Sequence, residues 1–224
     1  MVKNLSFFRS IVYTLFFLSL SLNYFLWQKL NQAQPGILVT EVLDGDTVLL
    51  EQDVRLRLRQ IDAPETKFCG GQEAKDKLSA LVKGKKVVIR EEIIDQRGRP
   101  MVLLYQGGTF INLEMIKSGW VRYHSDQTSQ TKILQSAFAD VKKEGKGIFS
   151  SACYQRENPQ NPSCRIKGNI DKNSGARKYY YPGCAQYEFT IVEKDIGENW
   201  FCTQEAAVKA GLSKAETCPS NPPY

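Results

Sequence analysis

The chain has 224 residues, of which 42% are hydrophobic, and a formal net charge of +6. This apolar content is enough to form a packed core, which excludes an intrinsically disordered chain. The charge is spread thinly, with 18 basic against 16 acidic residues at positions 35–153 and 9 against 8 at positions 154–224. Bulk charge therefore does not indicate a nucleic-acid-binding surface, and any phosphate binding must come from individually placed arginines.

Residues 1–34 have the pattern of a membrane-inserted segment. Arg9 and Lys29 enclose 19 residues without a charge, and at about 1.5 Å per residue this run nearly spans a hydrocarbon core of about 30 Å. No small-residue cleavage site follows, so one uncleaved transmembrane helix is predicted, with a cleaved signal peptide as the alternative. The rest of the chain is then extracytoplasmic, either anchored to the cell membrane as a single-pass protein or secreted.

Residues 35–153 carry the patterns of a small mixed domain. Apolar alternation predicts strands, and apolar residues at helical spacing predict helices that end at glycine. Asn112 is predicted to cap the second helix. The strands are predicted at 37–43, 47–50, 54–61, 86–94 and 101–105, and the helices at 71–83, about 112–118 and about 131–144. This order predicts a five-stranded OB-fold barrel packed with three helices.

The remaining residues are predicted to form a linker and a small module. Asn-Pro pairs and the lack of apolar periodicity make residues 154–163 a linker. Residues 164–224 combine aromatic, strand-like stretches with one short helix, which predicts a small αβ module stabilised by disulfides. Its aromatic side chains are interpreted as core, with binding to a wall polymer or stacking on bases as the alternatives.

The cysteines also favour disulfides. Six cysteines occur, an even number in a chain predicted to be exported, and no Cys-x-x-Cys pair is present. Disulfides are therefore favoured over a zinc site in the tail, although sequence alone does not give their pairing. We hypothesise that Cys69 pairs with Cys153. The four tail cysteines would then pair among themselves: Cys164, Cys184, Cys202 and Cys218.

The candidate chemistry lies in one short stretch and one later turn. Asp46 follows a turn and Asp62 ends a predicted strand, so neighbouring strands could bring both carboxylates to one ion. With no histidine or thiolate beside them, these oxygens suit calcium or magnesium. Glu65 could then act as a general base on a water molecule, and Arg57 and Arg99 could hold phosphoryl oxygens. Each residue taken alone is more often part of a turn, a helix start or a solvated strand face.

Four motifs occur together in a fixed order. They are Val42–Val48 (VLDGDTV), Arg57–Glu65 (RLRQIDAPE), Gly71–Ala74 (GQEA) and Asp95–Arg99 (DQRGR). Their order and spacing resemble the staphylococcal nuclease family, the thermonucleases, over about residues 37–153. The tail resembles a short extension found on bacterial members of that family.

The resemblance implies an endonuclease that uses calcium, hydrolyses phosphodiester bonds of single- or double-stranded DNA and of RNA, and leaves 3′-phosphate ends. It implies that Asp46 and Asp62 bind calcium and that Glu65 is the general base. It also implies that an acidic neighbour lies beside the metal ligands without binding the ion, a place that Asp44 fills. The remaining implied residues are Arg57 and Arg99 for the phosphate, with Arg97 and Tyr123 as candidate substrate contacts. No protein partner is implied.

Two other functions stay open on the sequence. The barrel could be a catalytically weak nucleic-acid-binding OB module, or the chain could be a surface adhesion protein that uses its C-terminal module. The presence of the complete set of candidate catalytic and metal-binding residues argues against the first.

Overall fold

The computed structural model describes residues 3–32 and 36–220, which belong to two units, Met1–Gly36 and Ile37–Tyr224. The predicted boundary between residues 34 and 35 lies outside the described residues. The predicted division of the second unit by a linker at residues 154–163 stays a prediction.

The first unit contains one long helix, α1 (Lys3–Gln32), of 30 residues. Polar side chains interrupt its apolar run: Ser21 Oγ donates to the Leu18 carbonyl at 2.9 Å, and Asn23 Nδ2 donates to the Ser19 carbonyl at 2.8 Å. Such side chains lower the hydropathy that bilayer insertion requires. Within residues 3–32 and 36–220, no helix is both long enough and apolar enough to cross a membrane. The transmembrane helix of the predicted fold class is therefore wrong, and the predicted membrane partner loses its support.

The second unit is built from short strands and four helices among its described residues. In chain order these are β1 (Ile37–Val42), β2 (Thr47–Leu50), β3 (Arg55–Leu58), β4 (Ile61–Asp62), α2 (Gly71–Val82), β5 (Lys86–Ile94), β6 (Pro100–Gln106), β7 (Thr109–Phe110), α3 (Ile111–Ser118), β8 (Arg122–Tyr123), α4 (Thr131–Glu144), β9 (Tyr154–Gln155), β10 (Ile166–Ile170), β11 (Arg177–Tyr180), β12 (Val192–Glu193), β13 (Trp200–Phe201), α5 (Gln204–Lys209) and β14 (Ser213–Lys214).

Five of these strands close into a barrel. β1 pairs with β2 and β5, β2 pairs with β3, and β5 pairs with β6, all in antiparallel fashion. β3 and β6 then pair in parallel, with Arg57 opposite Met101 and Leu58 opposite Val102, which closes the ring. This closure brings Arg57 beside the turn that precedes β6.

The core lies inside the barrel and between the barrel and its helices. One face of each strand is apolar, so these side chains leave water together and stabilise the closed sheet. The fully buried core residues include Val39, Val48, Leu58, Val102 and Leu104 from strands, and Ala74, Leu78, Met115, Ile116 and Leu134 from α2, α3 and α4. On α4 the buried residues are Leu134 and Val141, and the apolar side chain of Ile133 is 47% exposed.

Asn112 has a different role from the predicted helix cap. The cap position of α3 is Phe110, and Asn112 lies inside the helix with its side chain fully buried. Its Oδ1 accepts a hydrogen bond from Leu104 N at 2.9 Å, and its Nδ2 donates to the carbonyls of Arg59 at 2.8 Å and Val102 at 3.2 Å. One amide therefore satisfies backbone groups at the place where β3, β6 and α3 meet.

We expect Asn112→Ala to lower the free energy of unfolding by about 2–3 kcal/mol, because it leaves buried backbone groups without partners. Urea denaturation followed by far-ultraviolet circular dichroism measures the change. Glu114→Gln on the same helix is the control, since its carboxylate makes only a 3.3 Å pair with the half-exposed Lys117. Equal stabilities for the two variants would contradict this role of Asn112.

The C-terminal part of the second unit contains a four-stranded sheet in the order β13-β10-β11-β14, with α5 and a second apolar cluster packed against it. The hypothesis on disulfide pairing is confirmed. Cys69 bonds to Cys153, Cys164 to Cys202, and Cys184 to Cys218. The first bond closes a separation of 84 residues, for which the chain-entropy model gives a stabilisation of about 4–5 kcal/mol.

Candidate active site

The turn between β1 and β2 fixes Asp46 at the rim of the barrel. Asp44 Oδ1 accepts a hydrogen bond from Asp46 N at 3.0 Å, and the Asp46 carbonyl accepts one from Leu58 N at 2.8 Å. Thr47, the next residue, lies directly opposite Arg57 in the β2–β3 pair. The side chain of Asp46 is consequently held against β3, and the residue is only 1% exposed.

Arg57 joins the two predicted metal-binding carboxylates. Its Nη1 donates to Asp46 Oδ1 at 2.6 Å, and its Nη2 donates to Asp62 Oδ1. The second oxygen of Asp46 accepts a hydrogen bond from Ala63 N at 2.8 Å. The barrel therefore brings Asp46, Arg57 and Asp62 together, with the guanidinium between the two carboxylates.

The carboxyl group of Asp46 has an unusual environment for an acid. Burial raises the pKa of Asp46 to about 7, and the nearby carboxylate of Asp44 adds to that increase. The charge of Arg57 and the hydrogen bonds from Ala63 and Thr47 oppose it. Ionising the Asp46 carboxyl group therefore costs free energy in the folded state. A cation bound beside it would offset that cost.

Two cavities meet at Arg57 and Asp62. The first, of about 490 Å³, is lined by four carboxylate residues, Asp44, Asp46, Asp62 and Glu65. The second, of about 540 Å³, is lined by three arginines, Arg57, Arg97 and Arg99, and by two carboxylate residues, Asp62 and Asp95, with His124 beside them. An acidic cavity and a basic one thus lie side by side, an arrangement suited to a cation next to a phosphate group.

Glu65 and Arg99 lie on opposite sides of this junction, and both are open to solvent. The Glu65 side chain is 71% exposed and makes a 3.3 Å ion pair with Lys67. Arg99 is 46% exposed; its Nε donates to Asp95 Oδ2 and its backbone N donates to Asp95 Oδ1, each at 2.8 Å. The hydrogen bond from the Arg99 backbone, more than any other cause, lowers the pKa of Asp95. The two Nη atoms of Arg99 bond to none of the described residues, and Arg99 lines the basic cavity.

Comparison with known proteins identifies the family. Residues 55–151 match the family described as "Staphylococcal nuclease homologue". An "Uncharacterized endonuclease" of Haemophilus influenzae is 32% identical over 129 residues, which cover 56% of this chain and 69% of that protein. An "Uncharacterized endonuclease" of Escherichia coli O157:H7 is 32% identical over 120 residues, which cover 51% and 76%. The chain belongs to the staphylococcal nuclease family. A "Micrococcal nuclease" of Shigella flexneri is 35% identical over 105 residues, which cover 40% of this chain and 60% of that protein.

Enzymes of the staphylococcal nuclease family are generally calcium-dependent. The side chains that line the acidic cavity fit such an ion. Their metal-binding atoms are all oxygens, and the lining has four carboxylates and only one guanidinium, so its net charge is negative. Over residues 3–32 and 36–220, no group of three or more His, Cys, Asp or Glu residues already stands at metal-binding distances. Arg57 bonds to one oxygen of Asp46 and to one of Asp62. Asp46 and Asp62 are the residues that would hold the ion.

The two candidate substrate contacts of this nuclease-family site are placed differently. Arg97 lines the basic cavity together with Arg99. Tyr123 lies on β8 with its ring 6.2 Å from that of Phe138, and its hydroxyl accepts a hydrogen bond from Gln60 Nε2 at 3.3 Å. Tyr123 is therefore engaged in packing, and the neighbouring His124 lines the cavity in its stead.

A support for the basic cavity was missed by sequence reasoning. The support is Arg59, whose side chain is only 8% exposed. It pairs with Asp126, and its Nη1 donates to the Glu91 carbonyl at 2.8 Å. Gln60, at a φ of 61°, bonds through Nε2 to Thr131 Oγ1 at 2.9 Å. These contacts fix the 124–131 segment against β3. No local signal reveals them, because Arg59 and Asp126 are 67 residues apart.

Proposed function

We propose that this chain is a calcium-dependent endonuclease of the thermonuclease type, which hydrolyses phosphodiester bonds of DNA and RNA outside the cytoplasm and leaves 3′-phosphate ends. Membership of the staphylococcal nuclease family supports nuclease activity. The observation that carries the proposal is the position of Arg57, bonded to Asp46 and Asp62 at the junction of the acidic and basic cavities.

The acidic cavity would hold the metal. Asp46 and Asp62 would bind calcium, and Asp44 would orient Asp46 through its backbone without binding the ion. Calcium bound there supplies positive charge beside the phosphoryl oxygens of the substrate. With Asp46 and Asp62 engaged as metal ligands, the guanidinium of Arg57 that now bonds to them would be available to a phosphate oxygen.

Three side chains of the protein take part in the hydrolysis itself. Glu65, exposed at the edge of the acidic cavity, accepts the proton of the attacking water. The water oxygen forms a bond to phosphorus while the bond from phosphorus to the 5′ oxygen breaks, which leaves the phosphate on the 3′ side. Arg57 and Arg99 hold the phosphoryl oxygens, whose negative charge increases in the transition state. The 3′-phosphate product rests on the family resemblance alone.

An extracytoplasmic location is supported by the cysteines. All six form disulfides, including one that joins residues 84 positions apart. Such bonds persist in oxidising compartments and are rare in the reducing cytoplasm.

The proposal is tested by incubating the purified chain with single-stranded DNA in calcium and then in excess EGTA. We expect cleavage in calcium, its loss in EGTA and its return when calcium is restored. Extension of the products by terminal transferase only after phosphatase treatment would identify 3′-phosphate ends. Glu65→Gln is the matched control, since it keeps the size of the side chain and removes the base.

Intact DNA at every calcium concentration would overturn the proposal. Retention of DNA on the protein without cleavage would favour the binding-module function.

A further inference from the structure

The C-terminal part of the chain contacts the loop that carries Glu65. This loop, residues 63–70, contains no helix or strand and joins β4 to α2. Facing it is the segment 193–197, which lies outside the residues 55–151 matched to the family. A cavity of about 150 Å³ is lined by both: Asp62, Ala63, Pro64, Glu65 and Phe68 from the loop side, Asp195 and Ile196 from the segment, and Arg122 between them.

Backbone and apolar contacts hold the loop to this segment. Lys194 N donates to the Cys153 carbonyl at 2.8 Å, and the Lys194 carbonyl accepts a bond from Cys69 N at 3.4 Å. Because Cys69 and Cys153 are themselves joined by a disulfide, the segment is attached at both ends of that bridge. Phe68 packs on Gly197 so closely that a Cβ atom at Gly197 would lie 2.6 Å from the ring. The loop end is therefore fixed by the tail and not by the barrel alone.

Arg122 links the segment to the strand that carries Asp62. It lies on β8 directly opposite Asp62 in the β4–β8 pair. Its Nε donates to Asp195 Oδ2 at 2.6 Å, and its Nη2 donates to Asp195 Oδ1 at 2.9 Å and to Glu193. Asp195 is 1% exposed, so this forked pair is shielded from water and has a single favoured geometry.

The barrel and α2 hold the backbone of the loop, but not the Glu65 side chain. Ala63 N donates to Asp46 Oδ2 at 2.8 Å, and Gly71 N donates to the Phe68 carbonyl at 3.1 Å. The Glu65 carboxylate contacts only the exposed Lys67 among the described residues. A catalytic group must stand within a fraction of an ångström of its productive position, and a misplacement of about 1 Å costs about 100-fold in rate. The contacts of segment 193–197 therefore add to the support of a loop whose catalytic side chain has little of its own.

We propose that segment 193–197 positions the Glu65 loop for the reaction, with Asp195 and Arg122 as positioning residues. The C-terminal part of the chain is then required for the full turnover rate, although it supplies no group that touches the reacting atoms. This inference rests on the proposed nuclease function where it is tested by kcat. Its test by hydrogen exchange does not require nuclease activity.

The test is Asp195→Asn in the full chain, measured as kcat and KM on single-stranded DNA at saturating calcium. We expect kcat to fall about 10- to 100-fold while KM stays within about twofold, because Arg57 and Arg99 still bind the phosphate. We also expect faster hydrogen exchange at the amides of residues 65–69, a local change that the barrel amides do not share. Glu193→Gln, which removes one of the two partners of Arg122 and keeps Asp195, gives a smaller fall in kcat.

The matched control is Glu216→Gln in the same part of the chain. Its 92% exposed side chain pairs with Lys178 at 3.6 Å, away from the loop, and we expect wild-type kcat. Should Asp195→Asn fail to fold, Glu193→Gln carries the test alone. Unchanged kcat and unchanged exchange in the folded variants would overturn the inference. An inactive wild-type chain would instead overturn the proposed function, and the exchange of residues 65–69 would still decide whether the segment holds the loop.

Discussion

We expect Arg99→Gln to lower kcat by about 10²- to 10³-fold on single-stranded DNA, with little change in the free energy of unfolding. Arg99 is half-exposed, and its Nε and backbone N bond to Asp95 in the same turn. Its Nη atoms bond to none of the described residues, and Arg99 lines the same cavity as Arg57. The fork is thus available to two phosphoryl oxygens, and loss of one such donor typically costs about 3–4 kcal/mol in the transition state.

Two comparisons make this prediction specific. Arg99→Lys keeps the charge but loses the fork, so it should recover only part of the lost rate. Arg97→Gln removes the same charge from the same turn. We expect only a threefold or smaller rise in KM, because Arg57 pairs with Met101, which is two residues from Arg99 and four from Arg97. Steady-state kinetics at saturating calcium measures all three. Equal losses for Arg97→Gln and Arg99→Gln would mean that net charge, and not the fork, accounts for the effect.

Local pattern predicted those elements whose periodicity is strong. The helical spacing of apolar residues predicts helices at 71–83 and 131–144, and the structure has them at Gly71–Val82 and Thr131–Glu144. The predicted strand at 54–61 is instead two strands, Arg55–Leu58 and Ile61–Asp62. The break falls at residues 59 and 60, where Gln60 adopts a positive φ that an alternating pattern does not reveal.

The site divides in the same way. The sequence predicted that Asp46 and Asp62 lie close together. The turn beside Asp46 and the strand that ends at Asp62 are both local signals. Arg99 was named as a phosphate-binding residue from its chemistry and from the family resemblance. Its position near Arg57 could not be derived from the sequence, because the β3–β6 pairing joins residues far apart in the chain. Asp195 was missed altogether, since its partner Arg122 is 73 residues away and nothing local marks either residue.

The buried Asp46 lowers the stability of the folded protein when it is ionised, although the proposed calcium site needs its charge. Its pKa is raised from 3.8 to about 7 by burial and by Asp44. Between about pH 4 and pH 7 the folded state therefore binds more protons than the unfolded state, and the free energy of unfolding falls as the pH rises through that window. Above about pH 7 Asp46 is ionised in both states, and the free energy of unfolding falls no further. At pH 8 and without calcium, the protein therefore carries the full destabilisation from the buried charge of Asp46.

Asp46→Asn should therefore raise the free energy of unfolding at pH 8 in EGTA, by about 2 kcal/mol, while it abolishes calcium-dependent cleavage. The pKa shift of about three units corresponds to about 4 kcal/mol. We expect asparagine to recover only about half of this free energy. The carboxylate accepts hydrogen bonds from both Arg57 and Ala63, whereas the amide of asparagine has one acceptor oxygen. Urea denaturation at pH 8 and at pH 4 measures the effect, and the gain should vanish at the lower pH.

Asp62→Asn is the control for this prediction. Its side chain is 55% exposed, so neutralising it changes stability by no more than about 0.5 kcal/mol, although cleavage is also lost. A gain in stability for Asp46→Asn but not for Asp62→Asn separates the cost of a buried charge from the loss of a metal ligand. If Asp46→Asn is instead less stable than wild type at pH 8, the ion pair with Arg57 outweighs burial, and the carboxylate is retained for structure as much as for calcium.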